Sequence, residues 1–164
     1  MLPLAADGFV LVDEAYRAVG GPAGLLAVGD LARRRSPRHG WVPGGHWDGA
    51  LRGPVIAVRA LLGRDPSSVP DDPAPFVFST KLGHQLALFG RPGASDDIVL
   101  RGDPAGAFGA LWFTAGTDEL TAALSVDRPR DVAAARRLFA GPALPHLDRA
   151  AAADAGRALR DAVR

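Results

Sequence analysis

FGALWFTAGTDELTAALSV, residues 108–126, holds two apolar runs of strand length, 108–114 and 120–126, parted by the turn formers Ala115-Gly116-Thr117-Asp118. Such runs read as β-strands, and a short Gly- and Asp-containing turn between them makes them antiparallel neighbours. Three runs of the same kind lie upstream, at 76–79, 85–89 and 97–101, with turns at Leu82-Gly83 and Arg91-Pro92-Gly93. The expectation is a five-stranded antiparallel meander. Downstream, Asp131 is placed to cap a helix over 131–140 that stops at Gly141-Pro142. Leu147, Ala151, Ala155, Leu159 and Val163 share one face of a further helix over 146–164.

Working toward the N-terminus, residues 64–75 carry four prolines and read as a linker. Before it, 9–12 and 25–28 are short apolar runs expected as buried strands, and 33–45, dense in charge and turn formers, is expected as a loop. From Trp47, the residues Leu51, Val55, Val58 and Leu62 follow at helical spacing up to Gly63, a suitable C-cap. Pro54 falls inside that helix, unless the regular helix begins at Gly53-Pro54 with proline in its first turn.

Composition narrows the chemistry. The 164 residues contain no cysteine, which excludes a disulfide framework, a thiolate metal site and a cysteine nucleophile. Nineteen basic against 18 acidic side chains give a net charge of +1 and no global polyanion signature, so no nucleic acid partner is expected. No apolar run approaches the roughly 18 residues that suggest a bilayer span, and the first eight residues lack the features of a signal peptide, so no membrane partner and a cytoplasmic location are expected. The four histidines have no metal-ligand spacing, so no metal is expected. There is no Gly-x-Ser-x-Gly elbow, no Walker loop and no GxGxxG opening a βαβ unit, hence no pyrophosphate cradle in these residues.

What remains is Gly29-Asp30, closing the apolar run 25–28. At a strand end, glycine permits close backbone approach and the carboxylate can accept hydrogen bonds from sugar-like hydroxyls; equally, such an Asp caps the turn that follows. The basic run Arg33-Arg34-Arg35 with Arg38 reads either as a docking site for an acidic partner or as a solvated loop. Trp41, Trp47, Trp112 and Phe78 read first as core aromatics.

Leu25-Leu26-Ala27-Val28-Gly29-Asp30, then Gly45-His46-Trp47 opening a helix, then Phe76-Val77-Phe78-Ser79-Thr80-Lys81, then Ser125-Val126-Asp127-Arg128-Pro129-Arg130-Asp131, stand in an order that resembles the C-terminal part of the FAD-dependent ferredoxin reductases of the putidaredoxin-reductase type, within the pyridine nucleotide-disulfide oxidoreductases. The resemblance runs from Gly8 to about Ala140. It implies an α+β chain: residues 1–63 as a remnant of an α/β FAD-binding domain, the linker 64–75, a small antiparallel reductase C-terminal domain at 76–145, and the helix 146–164. By the same resemblance Gly29 and Asp30 hold the ribityl chain of FAD, His46 and Trp47 start the helix that points at the ring, and Phe78 lies on the ring's other side. No residue here is implied as catalytic acid or base.

The resemblance further implies a partial FAD site, NAD(P)H bound only through domains absent from these residues, and a ferredoxin-type iron-sulfur protein as electron partner. Family members carry an acidic residue, a Gln-Gly pair and Phe-Trp-Ser-Asp-Gln where this chain has Gly45, Gly53-Pro54 and Val77-Phe78-Ser79-Thr80-Lys81. The chain is therefore expected to be inactive alone, either as a fragment of such a reductase or as a subunit pairing with a separate flavin domain or with itself. The alternative is a non-catalytic interaction module descended from such a reductase.

Overall fold

Residues 10–12 and 32–36 alternate buried and more open side chains and pair in parallel as β1 (Val10–Val12) and β2 (Ala32–Ser36); β2 turns back onto antiparallel β3 (Gly40–Pro43). They belong to the first of two units, Met1–Pro75 and Phe76–Arg164, in a computed structural model that describes residues 3–64 and 72–164. Residues 65–71 of the proline-rich segment lie outside the described residues.

The segment 33–45 is thus a hairpin, not the loop its charge suggested. Ala32, Arg34 and Ser36 point inward, and the inward cation is held by Asp72: Arg34 Nη1 donates to Oδ1 at 2.8 Å and Ser36 Oγ to Oδ2 at 2.7 Å. The run 25–28 is not a strand. It makes one isolated bridge, Arg17 to Leu26, and single backbone bonds such as Ala27 N–H to Tyr16 C=O (3.1 Å), because the left-handed Gly24 and Gly29 on either side break any ladder.

Helix α1 (Trp47–Leu61) is continuous through Pro54. Gly53, Ile56, Ala57 and Ala60 form its buried face, which packs with Val10, Val12, Tyr16, Ala27 and Ala32. A Cβ on Gly53 would lie 2.9 Å from the Tyr16 ring, so only glycine allows the helix to approach so closely. The residues at helical spacing in the sequence, Trp47, Leu51, Val55, Val58 and Leu62, lie instead on the open face, each more than half exposed.

In the second unit, β4 (Phe76–Lys81), β5 (His84–Gly90), β6 (Asp97–Gly102), β7 (Phe108–Phe113) and β8 (Leu120–Val126) form one antiparallel sheet in the order β4-β5-β8-β7-β6. The five strands stand as read, but they are not a simple meander. Beyond β5 the chain crosses the sheet end to the far edge, leaving β8 to pair with β5. Gly90 makes that exit at φ +76°, where a Cβ would sit 2.2 Å from the Thr121 carbonyl oxygen and 2.8 Å from the Phe139 ring. Gly90→Ala is expected to destabilise this unit by about 2–3 kcal/mol, combining left-handed strain with a backbone clash. Faster hydrogen exchange across β5 and β8 would register it, and unchanged protection would refute it.

Helix α2 (Pro129–Leu138) packs on β5 and β8. It begins two residues before the expected cap: Pro129 takes the first helical position, and Asp131 lies buried in the first turn instead of capping it. The expected helix over 146–164 is largely absent. Helix α3 (Arg149–Ala153) stops after five residues, Asp154 Oδ1 accepts from the Gly156 N–H (2.9 Å), and a 3₁₀ turn follows at Leu159–Ala162. The reason is Arg101 of β6, 2% exposed, whose guanidinium takes the carbonyls of Ala152 (3.0 Å), Asp154 and Arg157 and so draws that backbone away from helical bonding. No helix among the described residues is long and apolar enough to cross a membrane.

Candidate functional site

In the first unit the chain brings Gly29, Asp30, His46 and Trp47 to one end of α1. Gly29 (φ +72°) and Asp30 sit in a 3₁₀ turn, Gly29–Leu31, rather than at a strand end. Gly44 presses against that turn: a Cβ there would lie 2.5 Å from the Gly29 carbonyl oxygen and 2.7 Å from the Asp30 Cα. Asp30 Oδ1 accepts a hydrogen bond from the Gly45 N–H at 3.2 Å, which fixes the carboxylate beside the start of α1.

That helix start is open. His46 is the N-cap residue in extended conformation, and its side chain makes no capping hydrogen bond. The positive end of the macrodipole of this 15-residue helix lies at that residue. Gly45 and Gly49 leave room there, since nothing lies within 4 Å of a Cβ built on either. Asp48 in the first turn pairs with Arg52 at 3.0 Å, and Trp47 is 67% exposed rather than core. The arrangement can receive hydroxyls at Asp30 and an electron-rich group at the helix terminus.

The basic run is not a free docking surface. Arg33 is bonded to Asp7, Arg34 and Arg38 both reach Asp72, and Arg35 lies 3.5 Å from Glu14. Of the two readings of 33–38, the structure favours neither a solvated loop nor an open cationic patch. Asp72 is the centre: burial raises its carboxyl, but the hydrogen bonds from Ser36 and Arg34 and the Arg34 charge outweigh that and hold it below the usual carboxylate range.

Phe78 belongs to the second unit, on β4, and is also exposed rather than core. Its ring lies 5.7 Å from that of Phe76, which stacks on Phe89 at 4.5 Å. The rings of Phe76 and Phe78 line a groove of about 520 Å³ with Gln85, Asp127, Pro129 and Val132. Asp127, at φ +54°, fastens one end: Oδ1 accepts from the Gln85 N–H (2.8 Å), and Oδ2 lies 2.6 Å from His84 Nδ1. The Gln85 bond, followed by the His84 contact, lowers the Asp127 pKa. Sequence reasoning gave neither His84 nor Asp127 a role; the Asp127-Arg128-Pro129 step into α2 was the signal.

Residues 76–163 match the Reductase C-terminal family. The chain is similar to the ferredoxin–NAD(+) reductase component of the anthranilate 1,2-dioxygenase system of Burkholderia cepacia, with 30% identity over 145 residues, 87% of this chain and 34% of that protein. Among solved structures it is similar to the ferredoxin reductase for the CYP199A2 system from Rhodopseudomonas palustris (27% identity, TM-score 0.79, 99% of this chain and 38% of that one). It is also similar to a chain of the covalent putidaredoxin reductase–putidaredoxin complex (25% identity, TM-score 0.70, 84% and 32%). The chain spans about a third of the length of the curated relatives it matches.

Proposed function

This chain belongs to the Reductase C-terminal family, the C-terminal part of putidaredoxin-reductase-like ferredoxin reductases, and from that premise we propose that it supplies part of the FAD site and the electron-transfer face of a flavin-dependent NAD(P)H:ferredoxin reductase. On this reading residues 1–63 are the end of a FAD-binding domain, 76–145 the reductase C-terminal domain, and the protein works in the cytoplasm. The observation that carries it is the Asp30 carboxylate fixed by Gly45 beside an uncapped helix start.

The residues present fit a flavin in part. Asp30 Oδ2 makes no hydrogen bond among the described residues and can accept from ribityl hydroxyls, with Gly29 giving the backbone its close approach. The N–H groups after His46 favour negative charge at the ring edge, where Trp47 lies exposed. Phe78 offers an aromatic face. Bound flavin would supply hydride acceptance and single-electron release; the Gly-rich cradle for its pyrophosphate is not in these residues. The chain alone is therefore expected to show no NADH-dependent reduction of an artificial acceptor.

The test is flavin affinity. Removing charged hydrogen bonds worth about 1.5–3 kcal/mol, Asp30→Ala should weaken FAD binding roughly tenfold or more when the chain is combined with a flavin-domain polypeptide, read by quenching of flavin fluorescence. Equal affinity of variant and parent would remove Asp30 from the site. The second reading, a non-catalytic interaction module, is favoured by the exposed apolar row Trp47, Leu51, Val55 and Val58 on α1, continued by Leu62 at its C-cap. A colourless protein that ignores FAD in every combination while binding a polypeptide would select it.

A further inference from the structure

The two edges of the sheet in the second unit are built differently. β4, the edge that carries Phe78, ends in Ser79-Thr80-Lys81, and a lysine on an edge strand discourages a further strand from pairing. β6, the opposite edge, has no such protection: its interior is Ile98-Val99-Leu100, with no proline, no lysine and no bulge against β7. Among the described residues no strand or isolated bridge lies on its outer side. Alternation sends Arg101 into the C-terminal segment and leaves Ile98 and Leu100 on the other face, 58% and 52% exposed, beside Trp112 and Ala110 of β7. Two branched apolar side chains half open on a bare edge make a template for strand addition.

The sequence of β6 specifies what pairs there. In antiparallel pairs the residues opposite each other share a face, so a two-fold pairing of β6 with itself must centre on a residue. Centred on Val99, it sets Ile98 against Leu100 of the second copy twice over, Val99 against Val99, and Asp97 against Arg101, so apolar residues match and no like charges meet. Centring on Leu100 would set Asp97 against Asp103, and centring on Ile98 would set Leu100 against Asp96. One register alone is self-complementary, and it joins Ile98 and Leu100 of both copies into a single apolar cluster flanked by Trp112 of each.

We infer that β6 pairs antiparallel with β6 of a second copy of this chain, centred on Val99, so that one sheet runs through both copies. β4 lies four strand spacings away, about 19 Å, so the Phe78 groove stays open in such a dimer. The inference stands without the flavin assignment above.

Pairing one six-residue strand buries less than a standard interface, so the test is light scattering on the full chain from micromolar concentration to about 0.5 mM. The mass should rise from that of one chain to that of two. Ile98→Lys with Leu100→Lys sets lysine against lysine at exposed positions and should weaken dimerisation at least tenfold, with the melting midpoint of the monomer held. Leu51→Lys with Val58→Lys, the same change on the open face of α1, should leave it within twofold. The chain has no cysteine, so Val99→Cys introduces one thiol, about 4.5–5.5 Å from its own copy between Cα atoms, and should cross-link on mild oxidation. Ile98→Cys, about 8 Å from its copy, should not. A chain that stays monomeric throughout, a dimer lost equally or only in the α1 variant, or failure of Val99→Cys to cross-link would overturn the inference.

Discussion

Replacing Arg101 with leucine is expected to lower the stability of the second unit by about 3 kcal/mol or more, because it leaves three inward carbonyls without a donor and strips the buried Asp131 of one of its two cations. For a unit of this size that corresponds to a fall in Tm of roughly 12–24 °C. The loss should spread to the C-terminal segment, whose amides from 152 to 163 should exchange far faster. Arg101→Leu combined with Asp131→Leu should recover part of the loss, since no buried carboxylate then lacks its partner. A single variant within 1 kcal/mol of the parent would show that the guanidinium does not hold that segment.

The same site sets an acid limit. Burial raises the Asp131 carboxyl, but hydrogen bonds from Arg101 and Arg128 together with their charges outweigh burial, so its pKa lies below the ordinary value. A carboxylate whose pKa is depressed by folding contributes stability above its unfolded value, about 3.9, and loses it as pH falls through the lower folded value. Unfolding free energy should therefore be flat from neutral pH to about 5 and drop below about 4. In Arg101→Leu that drop should be shallower.

The second large effect is expected in the first unit. Asp72→Ala removes the carboxylate that bonds Arg34, Ser36 and Arg38, leaving Arg34, with a side chain 5% exposed, as a buried cation without its counterion. A cost of about 3 kcal/mol should open the β2–β3 hairpin, seen as fast exchange of the amides of residues 33–36 and new proteolytic cleavage near residue 38. Adding Arg34→Met should restore much of the protection, because a similarly long apolar chain needs no counterion. If the single variant keeps the hairpin protected, the ion cluster is not what forms β2.

Asp72 and Arg101 also mark where sequence reading stops. The strand 108–113 and its partner 120–126 were legible because turn chemistry and apolar runs are local, and the two pair across a short turn. The span of α1 was legible for the same reason, yet its apolar spacing picked out the face left open, since small residues, Gly53, Ala57 and Ala60, let the other face pack closely. The segment 33–45 read as a loop because three consecutive arginines conceal an alternation in which the inward one is neutralised. Gly29-Asp30 was noticed, but the Gly45 N–H that holds the Asp30 carboxylate beside a helix start was not, because the two groups lie 15 residues apart in sequence.

By itself, the sequence determined the five strands of the second unit, the helix after Trp47, the helix on the sheet and the order of motifs that marks the family, all of them carried by neighbours within a few residues. Tertiary structure alone decided the order β4-β5-β8-β7-β6, the hairpin at 32–43 and the broken C-terminal helix. The physical reason is one of range: a buried guanidinium is stable only with its counterion or carbonyls around it, and those partners come from 38 residues away for Arg34 and from 30 to 56 for Arg101.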